Sequence, residues 1–133
     1  MLHAKNNSKR LKDELRELRH HNKPLLKLVL DLYKWVDKEL SKDVILTMIF
    51  RTPKEQDYLY RNSGRYKNKP FKSPHQFWHG LDIRSRVYTD DERSRITTYL
   101  NNKYDSSNYY KWTAKVHKVG NGAFHFHIQY YKK

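Results

Sequence analysis

The spacing of apolar residues changes period along this chain, and each change predicts an element. Leu11, Leu15 and Leu18 recur at helical spacing between Lys, Arg and Glu, which predicts a helix over residues 11–20. Pro24 breaks or restarts it. Leu25, Leu28, Val29, Leu32, Trp35, Val36 and Leu40 then sustain a three-and-four repeat, so a second helix with a broad apolar stripe is expected over 25–40. Residues 44–50 (VILTMIF) form a short β-branched apolar run that suits a buried strand. Thr52 and Pro53 open a helix, as N-cap and first helical residue. A Gly- and Lys-rich stretch over 62–72 reads as loop and residues 81–88 as strand. Thr89-Asp90-Asp91-Glu92 is a capping box that starts a helix running to about Asn102. After a loop over 105–110, the chain ends in a hairpin with arms over 112–119 and 123–131 and Asn121-Gly122 as its turn.

The elements therefore run α-α-β-α-β-α-β-β. The expected fold class is α+β: a single small domain with an antiparallel sheet and helices packed against it. The first ten residues are polar and charged and are expected to be loose. Residues 1–43 form an N-terminal helical segment and residues 44–133 the core that carries the chemistry. The 133 residues leave no room for two domains of ordinary size.

Composition narrows the classes. Twenty-eight Lys and Arg against 14 Asp and Glu give a net charge of +14, which implies an anionic partner: nucleic acid, wall polymer or membrane surface. Three Trp, five Phe and eleven Tyr can build a core although only 37% of residues are hydrophobic. No apolar run approaches the length of a membrane span, and Met1–Arg10 lacks the apolar stretch of a secretory signal. The expected location is the cytoplasm, without a signal peptide. The absence of cysteine excludes disulfides, thiol nucleophiles and cysteine-ligated metals, so any metal must be held by His, Asp or Glu.

On the last predicted strand, alternation places His125, His127 and Gln129 on one side and Phe124, Phe126 and Ile128 on the other. Two imidazoles about 6–7 Å apart suit a metal ligand beside a proton carrier. Taken alone, they suit the solvated face of a strand better. A second cluster is Ser73-Pro74-His75-Gln76-Phe77-Trp78-His79-Gly80-Leu81-Asp82, with His75 in a loop and Asp82 entering a strand. His75 and Asp82 converge if the loop folds back, and with His127 they make a His2Asp zinc site whose fourth position is left for water. The bland alternative pairs Asp82 with Arg84 or Arg86. Phe77 and Trp78 read as lid or core aromatics, His79 as a surface or supporting residue, and His20-His21 as a solvated helix end.

Ser-x-His with Asp seven residues after the His resembles the zinc motif of the D-Ala-D-Ala metallopeptidase and Hedgehog-type superfamily, which includes cell-wall carboxypeptidases, L-alanyl-D-glutamate endopeptidases and phage endolysins. The segment Ile49-Phe50-Arg51-Thr52-Pro53-Lys54-Glu55-Gln56 is similar to its strand-to-helix segment, in which Gln follows Arg by five residues. Leu81-Asp82-Ile83-Arg84 and His125-Phe126-His127-Ile128-Gln129 resemble small phage-encoded members. The resemblance covers about residues 44–131. It implies a peptidase that cleaves peptidoglycan stem peptides, with His75, Asp82 and His127 as Zn2+ ligands. Arg51 is implied over the zinc-bound water, stabilising the oxyanion or a substrate carboxylate. Gln56 is implied as a supporting residue, and Ser73 as a hydrogen-bonding residue near a ligand or substrate. Many members carry an acidic base three residues before the last zinc histidine; here that residue is Phe124. Other branches have a histidine two residues before, the place of His125, so His125 is the expected base or transition-state donor. His117, on the facing arm, is a second candidate. The charge suits retention on anionic cell-wall polymers, and the lack of a signal suits a phage product released by lysis that acts at the wall.

Two other readings stay open. Phe124 suits a member of the fold that holds zinc and an anionic polymer without turnover. His-hydrophobic-His also occurs in metal-dependent nicking enzymes that act on nucleic acid, but these need a nucleophilic tyrosine downstream, and only Tyr130 and Tyr131 follow His127.

Overall fold

In the computed structural model, residues 1–55, 58, 73–118 and 124–133 are described. Among these residues five strands form one sheet: β1 (Leu2–Ala4), β2 (Val44–Met48), β3 (Gly80–Arg84), β4 (Ala114–Lys118) and β5 (Phe124–Gln129). Their order is β1-β2-β3-β5-β4. Three helices with defined bounds accompany them: α1 (Lys9–His21), α2 (Lys23–Leu40) and α3 (Asp90–Tyr104). The architecture is a small single-domain α+β fold.

The sheet is mixed, which corrects the antiparallel expectation. Leu2–Ala4 is ordered as β1 and pairs in parallel with Val44–Leu46, while every other pairing is antiparallel. Val44 N–H donates to the Met1 carbonyl at 2.9 Å, and His3 Nε2 lies 3.1 Å from Asp43. Three residues are too few to display a period of two, and their partner lies 42 residues away, so no local pattern announces this strand.

The helix starts obey cap chemistry. Ser8 and Asn22 accept from the backbone N–H of Leu11 and Leu25, and Asn22 separates α1 from α2 just before Pro24. Thr89 and Glu92 form the expected capping box of α3. Thr52 and Glu55 make a second one, Glu55 N–H to Thr52 Oγ1 and Thr52 N–H to Glu55 Oε1, both at 3.1 Å. The strand expected over 81–88 stops at Arg84, because Tyr88 N–H turns back to the Ser85 carbonyl. The predicted Asn121-Gly122 turn lies outside the described residues, as does the loop over 62–72.

Leu46, Leu81, Ile83, Phe126 and Ile128 project from one face of the sheet and pack with Leu25, Leu28, Val29 and Leu32 of α2 and with Ile96 and Leu100 of α3. Asp31 of α2 ties the two helices, accepting from Tyr99, Lys103 and Tyr104 at 2.7, 2.8 and 2.9 Å. With that face sealed by helices, the opposite face is left for chemistry. No helix among the described residues is long and apolar enough to cross a membrane.

Candidate metal centre

Register arranges the open face in rows. Arg84, His125 and His117 are successive partners across β3, β5 and β4. In the next row stand Met48, Asp82, His127 and Lys115. Gly80 and Gln129 are partners in a third. Leu46 pairs with Ile83 on the core side but Met48 with Asp82 on the open side, because the register of β2 shifts between them. Such irregularities re-aim side chains beside functional sites.

His75 joins these rows from a separate element. Ser73 caps a 3₁₀ turn, Pro74–Phe77, through a capping box with Gln76, and its hydroxyl accepts from His75 N–H at 3.3 Å. Trp78 closes the turn with φ 62° and stacks with the rings of His21 and Phe50. The 3₁₀ turn can approach β5 because residue 80 is glycine: a Cβ there would lie 3.0 Å from Pro74 Cβ and 3.4 Å from His127 Cε1.

His75 Nε2 and His127 Nδ1 thus reach the same oxygen, Asp82 Oδ1, at 3.2 and 3.1 Å. All three residues are buried, and one ligand atom from each lies within 4.8 Å of the others. The Asp82 carboxylate is paired with histidines and not with Arg84 or Arg86. Burial alone would raise its pKa, but when the inward nitrogens of His75 and His127 carry protons, the charge at His75 and the hydrogen bonds from both rings outweigh burial and hold it well below the usual carboxylate range.

The outer nitrogens decide the tautomers. His75 Nδ1 lies 3.0 Å from the Ile49 carbonyl, which only accepts, so Nδ1 carries a hydrogen. Gln129 donates its amide to the Trp112 carbonyl at 3.1 Å, which turns Oε1 toward His127 Nε2 at 3.3 Å, so Nε2 carries a hydrogen too. In the neutral rings, both inward nitrogens are then bare lone pairs that face an ionised carboxylate. Three acceptors meeting in a buried place repel unless positive charge lies among them. One divalent cation supplies it without two buried imidazolium protons. Outer hydrogen bonds to a carbonyl and a carboxamide are also the usual support of ligating histidines. The group can therefore hold a metal ion.

Two further histidines border the centre. His125 Nε2 is 3.4 Å from Asp82 Oδ2, is shielded from solvent and has no hydrogen-bond partner. Burial lowers the His125 pKa, Asp82 opposes this, and His127, His75 and Arg51 add to the lowering, so the ring is neutral near pH 7. His117 stacks on His127 with centroids 5.3 Å apart and meets His125 edge-on at 5.1 Å. Burial, followed by His127 and His125, pushes its pKa down to about 4.

Arg51 is buried, and its N–H donates to the His75 carbonyl at 3.1 Å. It lines a cavity of ≈ 370 Å³ together with Met48, Lys54, Glu55 and Tyr58. Arg10 of α1 fixes the start of that segment, holding Glu55 through both terminal nitrogens at 2.9 and 2.8 Å and the Phe50 carbonyl at 3.1 Å. Gln56 lies outside the described residues. His79 stands apart from the centre, stacked on Tyr131 with Nδ1 2.9 Å from the Tyr110 hydroxyl. Ile49, Gly80 and Trp112 acquire their roles only in three dimensions. Gln129 had a signal in its alternation with His127, although not the identity of its partner.

The chain matches no protein-family model, no curated protein and no solved structure.

Proposed function

We propose that this chain is a zinc-dependent peptidase of the D-Ala-D-Ala metallopeptidase and Hedgehog type, acting on peptidoglycan stem peptides. The observation that carries the reading is the convergence of His75, Asp82 and His127 with both histidine tautomers set from outside. Two imidazoles and one carboxylate suit zinc, and three protein ligands are the number found in catalytic sites. When bound there, zinc supplies Lewis acidity toward a carbonyl and makes water acidic enough to be a nucleophile near neutral pH.

The protein's own residues supply the rest. His125, neutral and with its Nε2 beside Asp82, accepts the proton of the nucleophile and returns it to the leaving amine. Arg51 stabilises the negative charge that develops on the scissile carbonyl oxygen. Phe124, where an acidic base is common in the resembled superfamily, is 61% exposed. It lies three residues from His127, an odd offset that alternation assigns to the opposite face. Position 125 is the one that faces the centre. The net charge of +14 favours carboxylate-bearing peptides and retention on anionic wall polymers.

Cleavage of purified stem peptides by the zinc-loaded protein, followed by mass spectrometry, tests this reading. One peptide bond should be cut, chelation should stop the reaction, and His125→Ala should slow it by about 10²-fold or more with zinc retained. Intact peptides after incubation with fully loaded protein would overturn it. Phe124 favours a second reading, a zinc-holding domain without turnover, and that outcome would select it. Nicking chemistry has less support: Tyr130 is buried, with its hydroxyl 2.6 Å from Ser107 Oγ.

A further inference from the structure

We infer that Arg84 is a substrate-binding residue of this centre and that it takes a carboxylate of the substrate, an inference that rests on the peptidase reading for the identity of the ligand. Arg84 follows Asp82 by two residues on β3, on the same face and about 7 Å further along the strand. Its partner on β5 is His125, so it occupies the row next to the metal ligands.

The charge of Arg84 is unspent. Four other arginines have counter-ions: Arg10 holds Glu55, Arg16 holds Asp13, Arg93 holds Asp90 and Arg95 faces Glu39. Arg19 and Arg86 have none among the described residues, but both are exposed to water. Arg84 is half-buried, and among the described residues its guanidinium makes no hydrogen bond or ion pair. A guanidinium that has lost part of its hydration without a partner is unfavourable, so a partner from outside the chain would be bound there with a gain. The sheet cannot supply one. Asp82 is the sole acidic residue in the five strands, and three histidines already face it.

Guanidinium is a planar fork that matches the two oxygens of a carboxylate, and lysine does not reproduce that geometry. Stem peptides carry free carboxylates, so the ligand class and the residue agree. Arg51 and Arg84 then divide the work. Arg51, beside the cavity bordered by Met48, serves the scissile carbonyl. Arg84, in the row of His125, anchors a carboxylate and thereby sets which peptide bond is presented.

The test is a calorimetric titration with acetyl-D-alanyl-D-alanine and with its C-terminal carboxamide. It is run on wild type, Arg84→Gln and Arg84→Lys, each zinc-loaded and stripped of metal. Wild type should bind the acid roughly 10-fold more tightly than the amide, as a charge-assisted bidentate contact implies. Arg84→Gln should bring the two within about twofold, and Arg84→Lys should keep part of the preference, because it keeps charge without the fork. Arg84→Lys also reads the fork if Arg84→Gln fails to fold, as checked by circular dichroism. An unchanged acid preference in either variant, or none in wild type, overturns the inference. The metal-free arm separates the two claims: absence of zinc uptake or of cleavage would sink the peptidase reading, while the acid-to-amide ratio would still report on Arg84.

Discussion

Asp82 and His127 face each other directly across β3 and β5, and the ring nitrogen Nδ1 lies 3.1 Å from the carboxylate oxygen that His75 also approaches. The pairing is a consequence of register. A slip of one residue between these strands would move His127 to the core face and replace it with Phe126 or Ile128. The centre is therefore as secure as the sheet, and Leu81, Ile83, Phe126 and Ile128, all buried against the helices, hold that register in place.

Gln129→Leu tests the assignment of tautomers. The substitution removes the oxygen that accepts from His127 Nε2 and leaves the ligands themselves untouched. Metal affinity should fall about 10- to 100-fold, the usual effect of losing an outer hydrogen bond to a ligating histidine. Competition with a chromogenic chelator measures it. Wild-type affinity in the variant would mean that Gln129 does not orient the ring.

Gly80→Ala tests the close approach of the 3₁₀ turn to β5. The new methyl would press on Pro74 Cβ at 3.0 Å and His127 Cε1 at 3.4 Å. Both the turn that carries His75 and the ring of His127 must give way. The expected cost is about 1–3 kcal/mol, as for overpacking elsewhere, with weaker metal binding. Urea denaturation reads the first and chelator competition the second. A variant of wild-type stability would show that the turn yields freely.

Asn22→Ala tests the joint between the helices and the site. The Asn22 side chain caps α2 and donates to the carbonyls of Trp78 at 3.0 Å and Tyr130 at 2.8 Å. Losing the cap and leaving one buried and one part-buried carbonyl without their donor should destabilise the fold by about 2–4 kcal/mol. A shift in the urea midpoint at constant slope would register it. A change below about 0.5 kcal/mol, the level of an ordinary surface substitution, would contradict this role.

Much of the fold is legible from local pattern because most elements announce themselves locally. Leu11, Leu15 and Leu18, the run from Leu25 to Leu40, and the capping box at Thr89 all lie within the elements they predict. So do Thr52 and Glu55 at the start of the helix after β2. What pattern could not convey is pairing at long range. β1 has three residues, and its parallel partner begins at Val44. The ligand candidates His75, Asp82 and His127 were recognisable from residue type and spacing, and the structure brings them together. Their supports were less visible, since the Ile49 carbonyl has no side-chain signature and the role of Gly80 depends on the neighbours a methyl would meet.

Glu55→Gln tests the clamp that fixes the Arg51 segment to α1. Hydrogen bonds from Arg10 outweigh desolvation and lower the Glu55 pKa from 4.5 to about 2. A carboxyl depressed in the folded state stabilises the fold above its unfolded pKa, and that contribution is lost as pH falls through the folded value. Wild type should therefore lose stability relative to Glu55→Gln between about pH 4.5 and about pH 2, while the difference stays constant above pH 5.5. Melting temperatures of the two proteins across this range decide it. Parallel curves would show that the Arg10 contact contributes nothing.

The claim on which the functional account depends is that His75, Asp82 and His127 hold a metal ion. The most direct test is metal content by elemental analysis of untagged protein, wild type against His127→Ala, after reconstitution with zinc at neutral pH. The account predicts about one zinc per chain in wild type and little in a His127→Ala variant that remains folded, as for a site with three protein ligands. Wild-type protein that holds no zinc, or a variant that holds as much as wild type, would contradict it.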